Sequence, residues 1–230
     1  MHVKISKFRT KAVSMMNNFR LFLGLRLPQG PSEALTNKMA GLTESGIVFR
    51  RWTHPADLHV TLHFLGDTPE SSVAAIDALT AETAAATAPF ALTLTEAGTF
   101  GPPSAPRVLW CGLAESAGAP QEGALAALHA ALGAHLAASG FATEARPFRA
   151  HVTLARGGAA GSDPAALMAA WRAVADAAPE SLSWTADDVT LYKTHLGRQP
   201  SYEAIGCYAF GSNDDSKGKN ASSATSAEFA

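Results

Sequence analysis

Leu58-His59-Val60-Thr61-Leu62-His63-Phe64-Leu65-Gly66 reads as a β-strand: β-branched and aromatic residues alternate with polar ones, and Gly66-Asp67 supplies a closing turn. Strand side chains alternate between two faces. His59, Thr61 and His63 are therefore expected on one face, and Val60, Leu62 and Phe64 on the other. The same wording returns in Ala150-His151-Val152-Thr153-Leu154-Ala155-Arg156. A single histidine on a half-buried strand is more often structural than catalytic. An identical pair, each inside a strand-like context, points instead to shared chemistry.

Outward from these two stretches, Phe19–Leu27 reads as a strand stopped by Pro28, followed by a helix capped by Ser32 and running to about Thr43. Ile47–Thr53 is a second strand, and Pro55 and Asp57 turn the chain into the first motif. Pro69 and Glu70 open a helix carrying Val73, Ile76 and Leu79. Phe90–Thr95 and Arg107–Leu113 read as strands, with a Gly/Pro-rich loop over Gly98–Pro106 between them. Gly118 and Pro120 precede a helix on which Leu125, Leu128, Leu132 and Leu136 recur at helical spacing, ending at Gly140. His129 and His135 on that helix lack ligand spacing and are expected to be solvated or packed. Asp163-Pro164 caps a helix to about Ala177, and Leu182–Tyr192 and Tyr202–Phe210 close the chain, with His195 exposed between them. Strand–helix–strand units recur around each His-Val-Thr. The expectation is an α+β, bilobal fold with two antiparallel sheets, helices on the outer faces, a central cleft and a pseudo-two-fold axis.

The 230 residues suffice for a sizeable core, and the net charge of −2 does not describe a protein that coats nucleic acid. The domain is expected over 19–210, between a disordered basic extension (1–18) and a disordered polar tail (211–230). Cys111 and Cys207 form no disulfide framework and read as buried, reduced thiols, which suits the cytoplasm. No apolar run reaches the ~20 residues that span a membrane. The chain is expected to act as a monomer, off the membrane.

Two imidazoles facing one cavity are a general acid and a general base, because the histidine pKa lies near neutrality. Thr61 and Thr153 lie two residues after His59 and His151, so their hydroxyls point into the same cavity and suit the oxygens of a tetrahedral phosphate. Arg156 could grip that phosphate with two N–H groups. Strand parity turns it away, however, unless the strand ends or bulges near Gly157-Gly158. No metal site, P-loop or nucleophile motif is present, so neither metal nor cofactor is expected.

The paired motifs resemble the two-histidine phosphoesterase superfamily. More narrowly they resemble the RNA 2′,3′-cyclic phosphodiesterases, also called 2′-5′ RNA ligases, of the LigT/ThpR type. Arg20-Leu21-Phe22-Leu23-Gly24-Leu25-Arg26-Leu27-Pro28, Asp57–Asp67, Phe148–Arg156 and Val189-Thr190-Leu191-Tyr192-Lys193-Thr194 carry the likeness over roughly 19–210. His63 stands at a position often basic in relatives, and Ala150 where Pro is common. The resemblance implies a bilobal fold and metal-independent hydrolysis of RNA 2′,3′-cyclic phosphate ends to 2′-phosphates. It implies that His59 protonates the leaving 3′ oxygen, that His151 activates water, and that Thr61, Thr153 and Arg156 hold the phosphate. The partners would be single-stranded RNA 3′ ends or small cyclic-phosphate nucleotides, with Phe100 and Phe148 as stacking candidates. Alternatives are 2′-5′ RNA ligation, hydrolysis of a cyclic nucleotide or an ADP-ribose cyclic phosphate, and a non-catalytic nucleotide-binding module.

Overall fold

The computed structural model describes residues 17–115, 122–144, 146–160, 163–174 and 182–211. In chain order its elements are β1 (Asn18–Arg26), α1 (Gln29–Glu44), β2 (Phe49–Trp52), β3 (His59–Pro69), α2 (Val73–Ala85), β4 (Phe90–Phe100), β5 (Val108–Glu115), α3 (Ala124–Ala138), β6 (His151–Gly158), α4 (Pro164–Ala173), β7 (Ser183–Ala186), β8 (Asp188–Thr194) and β9 (Tyr202–Ala209). The class is α+β, as expected. Of the terminal stretches, only 17, 18 and 211 are described, and Asn18 already belongs to β1. Gly118, Pro120 and the expected end of α4 at Ala177 lie outside the described residues.

The strands run in the order β7-β4-β5-β6-β3-β1-β8-β9, and β2 pairs with β6. The two expected sheets are thus the halves of one continuous antiparallel sheet. They join where Val60 of β3 pairs with Val152 of β6. Leucines and valines of the central strands turn to the helix side and build the core, among them Leu21, Leu23, Leu25, Val60, Val152 and Leu154. α3 buries Leu125, Leu128, Leu132 and Leu136, the stripe its spacing predicts. It is tied to α2 by a 2.7 Å hydrogen bond between His135 Nδ1 and Thr83 Oγ1. α1 packs with α4 in the other half: Lys38 Nζ donates to the carbonyls of Trp171 and Val174 at the end of α4, at 3.1 and 2.5 Å. No helix among the described residues is long and apolar enough to cross a membrane.

Several elements depart from the sequence reading for definable reasons. α1 begins at Gln29 rather than after Ser32, because Pro31 falls in the first turn, where a missing N–H costs no helical bond. β4 continues through a bulge between Leu94 and Ala97 to Phe100, so only the latter part of the expected Gly98–Pro106 loop is irregular. The single strand expected over 182–192 is two. At Asp187 the chain leaves β4, which β7 borders, and crosses to β1, which β8 borders. His195 is half-covered, with Nε2 2.5 Å from the Glu203 carboxylate. Cys207 is exposed on the edge strand β9, whereas Cys111 is buried and its thiol pKa is pushed up to about 12 by desolvation.

Gly24 of β1 lies opposite Thr61, and a Cβ there would fall 2.7 Å from the Val60 carbonyl oxygen and 3.5 Å from the His59 ring. Backbone rather than a flexible side chain blocks the space. Gly24→Ala is therefore expected to lower the unfolding free energy by about 1–3 kcal/mol. Urea titration should show a lower midpoint at unchanged slope; an unchanged midpoint would refute the close approach.

Candidate active site

The pairing of Val60 with Val152 creates the site. Both valines are fully buried on the helix side. Their neighbours therefore face the opposite, cleft side. Because the strands are antiparallel, His59 lies alongside Thr153 and Thr61 alongside His151, across a pseudo-dyad through the valine pair. The four motif residues expected to share one cavity are brought together.

Beyond them each strand carries the same irregularity. Along β3, Thr61 lies opposite Gly24 but His63 opposite Leu23, so Leu62 is an extra residue. Along β6, Thr153 lies opposite Trp110 but Ala155 opposite Leu109, so Leu154 is an extra residue. Such a bulge resets the alternation of faces. Leu62 and His63 both turn to the core, as do Leu154 and Ala155.

Two consequences follow. Arg156 returns to the face of His151 and Thr153, which was the condition for its expected role. His63 leaves that face, against expectation, and is 5% exposed. Its Nε2–H donates to the His129 carbonyl at 2.8 Å, and its ring stacks on His129 at 4.2 Å. His129 in turn stacks on Phe148 at 4.0 Å, so Phe148 is engaged in packing rather than offered to a base. Gly133 of α3 makes room for the His63 ring, which a Cβ would approach to 3.0 Å.

The two cleft imidazoles are held alike. His59 Nδ1 lies 2.7 Å from the Asp57 carbonyl oxygen, and His151 Nδ1 2.7 Å from that of Arg149. A carbonyl only accepts, so each Nδ1 carries a hydrogen. Each Nε2 is then the basic nitrogen of the neutral ring. His59 Nε2 sits 3.0 Å from Thr61 Oγ1.

Desolvation lowers the His59 pKa to about 4 against the raising effects of the Asp57 carbonyl and carboxylate; Arg156 and His151 lower it further. His151 is also lowered, first by burial and then by Arg156 and Arg149, against the opposing hydrogen bond to the Arg149 carbonyl. Arg156 thus acts on both rings.

Sequence reasoning missed the groups that surround these rings. Phe22 lies against His59 at 4.7 Å, Tyr202 meets it edge-on at 5.0 Å, and Tyr192 lies at 5.7 Å. Asp57, read as a turn residue, is buried and accepts hydrogen bonds from the Ser201 and Tyr202 amides at 2.8–3.1 Å. It thereby pins the start of β9 beside His59. Arg51, opposite Arg156, donates to Ser201 Oγ at 2.6 Å. An acid two residues before a motif histidine was the available signal; the aromatic contacts are long-range and left none. Next to His151, Phe100 presents its edge at 5.1 Å and Trp110 lies at 6.2 Å. No group of three or more His, Cys, Asp or Glu side chains able to hold a metal ion occurs among the described residues.

A family model described as the 2′-5′ RNA ligase superfamily matches residues 48–198, a stretch that contains both motifs. The chain belongs to the 2′-5′ RNA ligase superfamily. A Geobacillus stearothermophilus protein named RNA 2′,3′-cyclic phosphodiesterase is 33% identical over 201 residues, covering 84% of this chain. The match spans only 58% of that relative's length. A Bacillus subtilis protein of the same name is 29% identical over 185 residues, 80% of this chain and 92% of that one. The fold is similar to that of E. coli LigT in its apo form, with a TM-score of 0.61 and 27% identity over 85% of this chain and 99% of that one. The crystal structure of E. coli LigT complexed with 3′-AMP matches with a TM-score of 0.61 and 25% identity over 84% of this chain and 98% of that one.

The depressed His59 pKa links folding to pH. Well above pH 6.5 the ring is neutral in both folded and unfolded chains. As pH falls from 6.5 towards 4 the unfolded chain takes up the proton first, and up to about 3 kcal/mol of unfolding free energy is lost. Urea titrations at pH 7 and pH 4 should therefore show a larger loss for the wild type than for His59→Asn. Equal losses would mean that His59 titrates normally in the fold.

Proposed function

We propose that this superfamily member is an RNA 2′,3′-cyclic phosphodiesterase that opens cyclic phosphate ends to 2′-phosphates. The observation that carries the reading is the dyad-related imidazole pair, each with Nδ1 tied to a backbone carbonyl, so that Nε2 is the atom that exchanges a proton. The names of the Geobacillus and Bacillus relatives support the same reaction class.

In this mechanism the His151 Nε2 takes a proton from water, whose oxygen attacks the phosphorus. The P–O3′ bond breaks in line with attack, and His59 Nε2–H protonates the departing 3′ oxygen. One water is consumed; a 2′-phosphate and a free 3′-hydroxyl result. Thr61, Thr153 and Arg156 donate to the non-bridging oxygens as negative charge builds on them. No metal takes part. The substrate is a single-stranded RNA 3′ end, met by a monomer in the cytoplasm.

The superfamily match favours one second reading. If a 5′-hydroxyl of another RNA replaces water as nucleophile, the same bond cleavage forms a 2′-5′ linkage. The machinery is identical, so ligation would appear as a minor product when RNA ends are concentrated.

Offered an RNA with a 2′,3′-cyclic end, the protein should yield the 2′-monophosphate, at a rate unchanged by EDTA. His59→Ala and His151→Ala should each lose about 10²–10⁴-fold in kcat. A 3′-monophosphate product, or normal turnover by either variant, would overturn the assignment. The pH dependence carries a further signature. Both imidazoles are depressed in the empty cleft, and a bound phosphate anion raises them. The optimum of kcat should lie at higher pH than that of kcat/KM, since the first reports the complex and the second the free enzyme. Coincident optima would show that substrate charge does not reach the pair.

A further inference from the structure

We infer that Arg149 forms a second phosphate subsite, which makes the preferred substrate a ribose 2′,3′-cyclic phosphate that also carries a phosphate on its 5′ side. The inference rests on the cyclic phosphodiesterase reading and narrows its substrate class. A cyclic phosphate carries one negative charge, and Arg156 with two threonine hydroxyls already answers it. Arg149 is a second cation on the His151 side of the cleft. Its side chain is exposed, and no carboxylate among the described residues pairs with it.

Its guanidinium is not loose. The Cζ atom stands 4.6 Å from the Trp110 ring centroid and 5.6 Å from that of Phe100. Phe100 in turn touches His151 edge-on, which places the cation one ring away from that imidazole. The perch is itself rigid: Trp110 is 9% exposed and lies over Gly98, where a Cβ would come within 2.3 Å of the indole. A guanidinium held over aromatic rings by its π contacts spends none of its five N–H donors on them, and these remain available to grip phosphate. Aromatic rings beside a cationic site are also the usual equipment for single-stranded nucleic acid. The nearest further phosphate on such a substrate lies one ribose away, on the 5′ side of the terminal nucleoside.

Two sources supply that chemistry: the internucleotide phosphate of an RNA chain, or the 5′-phosphate of a free nucleotide. Three substrates separate them: adenosine 2′,3′-cyclic phosphate, its 5′-phosphorylated form, and a dinucleotide ending in the same cyclic phosphate. For the wild type, kcat/KM should rise at least about 10-fold when a 5′-side phosphate is added, the scale of one charge-assisted pair. Preference for the dinucleotide over the 5′-phosphorylated monomer assigns the subsite to RNA; the reverse assigns it to free nucleotides. In Arg149→Met the ratio of phosphorylated to unphosphorylated substrate should collapse towards one, and Arg149→Lys should restore part of it. Arg149 also lowers the His151 pKa, but that effect is common to all three substrates and cancels in the ratio.

A wild-type ratio near one, or a ratio unaltered in Arg149→Met, would overturn the inference while leaving the hydrolase reading intact. Calorimetric binding of adenosine 2′-monophosphate against adenosine 2′,5′-bisphosphate provides a readout that needs no turnover. Tighter binding of the bisphosphate by the wild type but not by Arg149→Met supports the subsite. Equal affinities for the two ligands in the wild type refute it, even in a protein that hydrolyses nothing.

Discussion

The molecule depends on a single backbone pairing, that of Val60 with Val152. Each valine belongs to a strand whose apolar side faces helices, and each is fully buried. A slip of one residue in either strand would turn a valine into the cleft and an imidazole into the core. Burial of one face thus enforces the chemistry of the other. Having met at this point the strands part: β6 continues beside β2, and β3 stays with β1. The pseudo-dyad is a consequence of pairing two copies of one tetrapeptide at their valines.

How far the sequence discloses this arrangement varies with the range of the interaction. The repeated His-Val-Thr-Leu is legible because strand alternation is local, and it placed His59, Thr61, His151 and Thr153 in one cavity. The leucine stripe of α3 is legible for the same reason. The bulges at Leu62 and Leu154 are not. An extra residue in a strand alters no composition and needs no glycine, and it shows only in the register with β1 and β5. Its effect is large nonetheless: it sends His63 into the core and brings Arg156 out. Likewise the chain changes partners at Asp187 with no Gly or Pro to mark it, so one alternating run becomes β7 and β8 at distant places in the sheet. Phe22, Tyr192 and Tyr202 converge on His59 from three strands. No period in the sequence links them.

The same aromatic enclosure explains the choice of neutral donors around the pair. Desolvation already disfavours the charged form of each imidazole, and Arg156 adds a repulsive cation to both. Each further cation at bonding distance would depress them more, until neither ring could serve as an acid near neutrality. Hydroxyls from Thr61 and Thr153 add hydrogen-bonding capacity without adding charge. One cation that acts on both rings, a second beside His151 alone, and two neutral donors leave the rings facing excess positive charge, which favours their neutral forms. An arriving phosphate cancels the repulsion from Arg156, and one imidazole can then hold a proton. On this account the acid is created by the anion it will act on. The Asp57 carboxylate, held by the Ser201 and Tyr202 amides, opposes the neutral form on the His59 side but is outweighed there by desolvation. The electrostatics of the pair therefore favour an anionic ligand over a neutral one, which is the physical ground of the proposed phosphodiester chemistry.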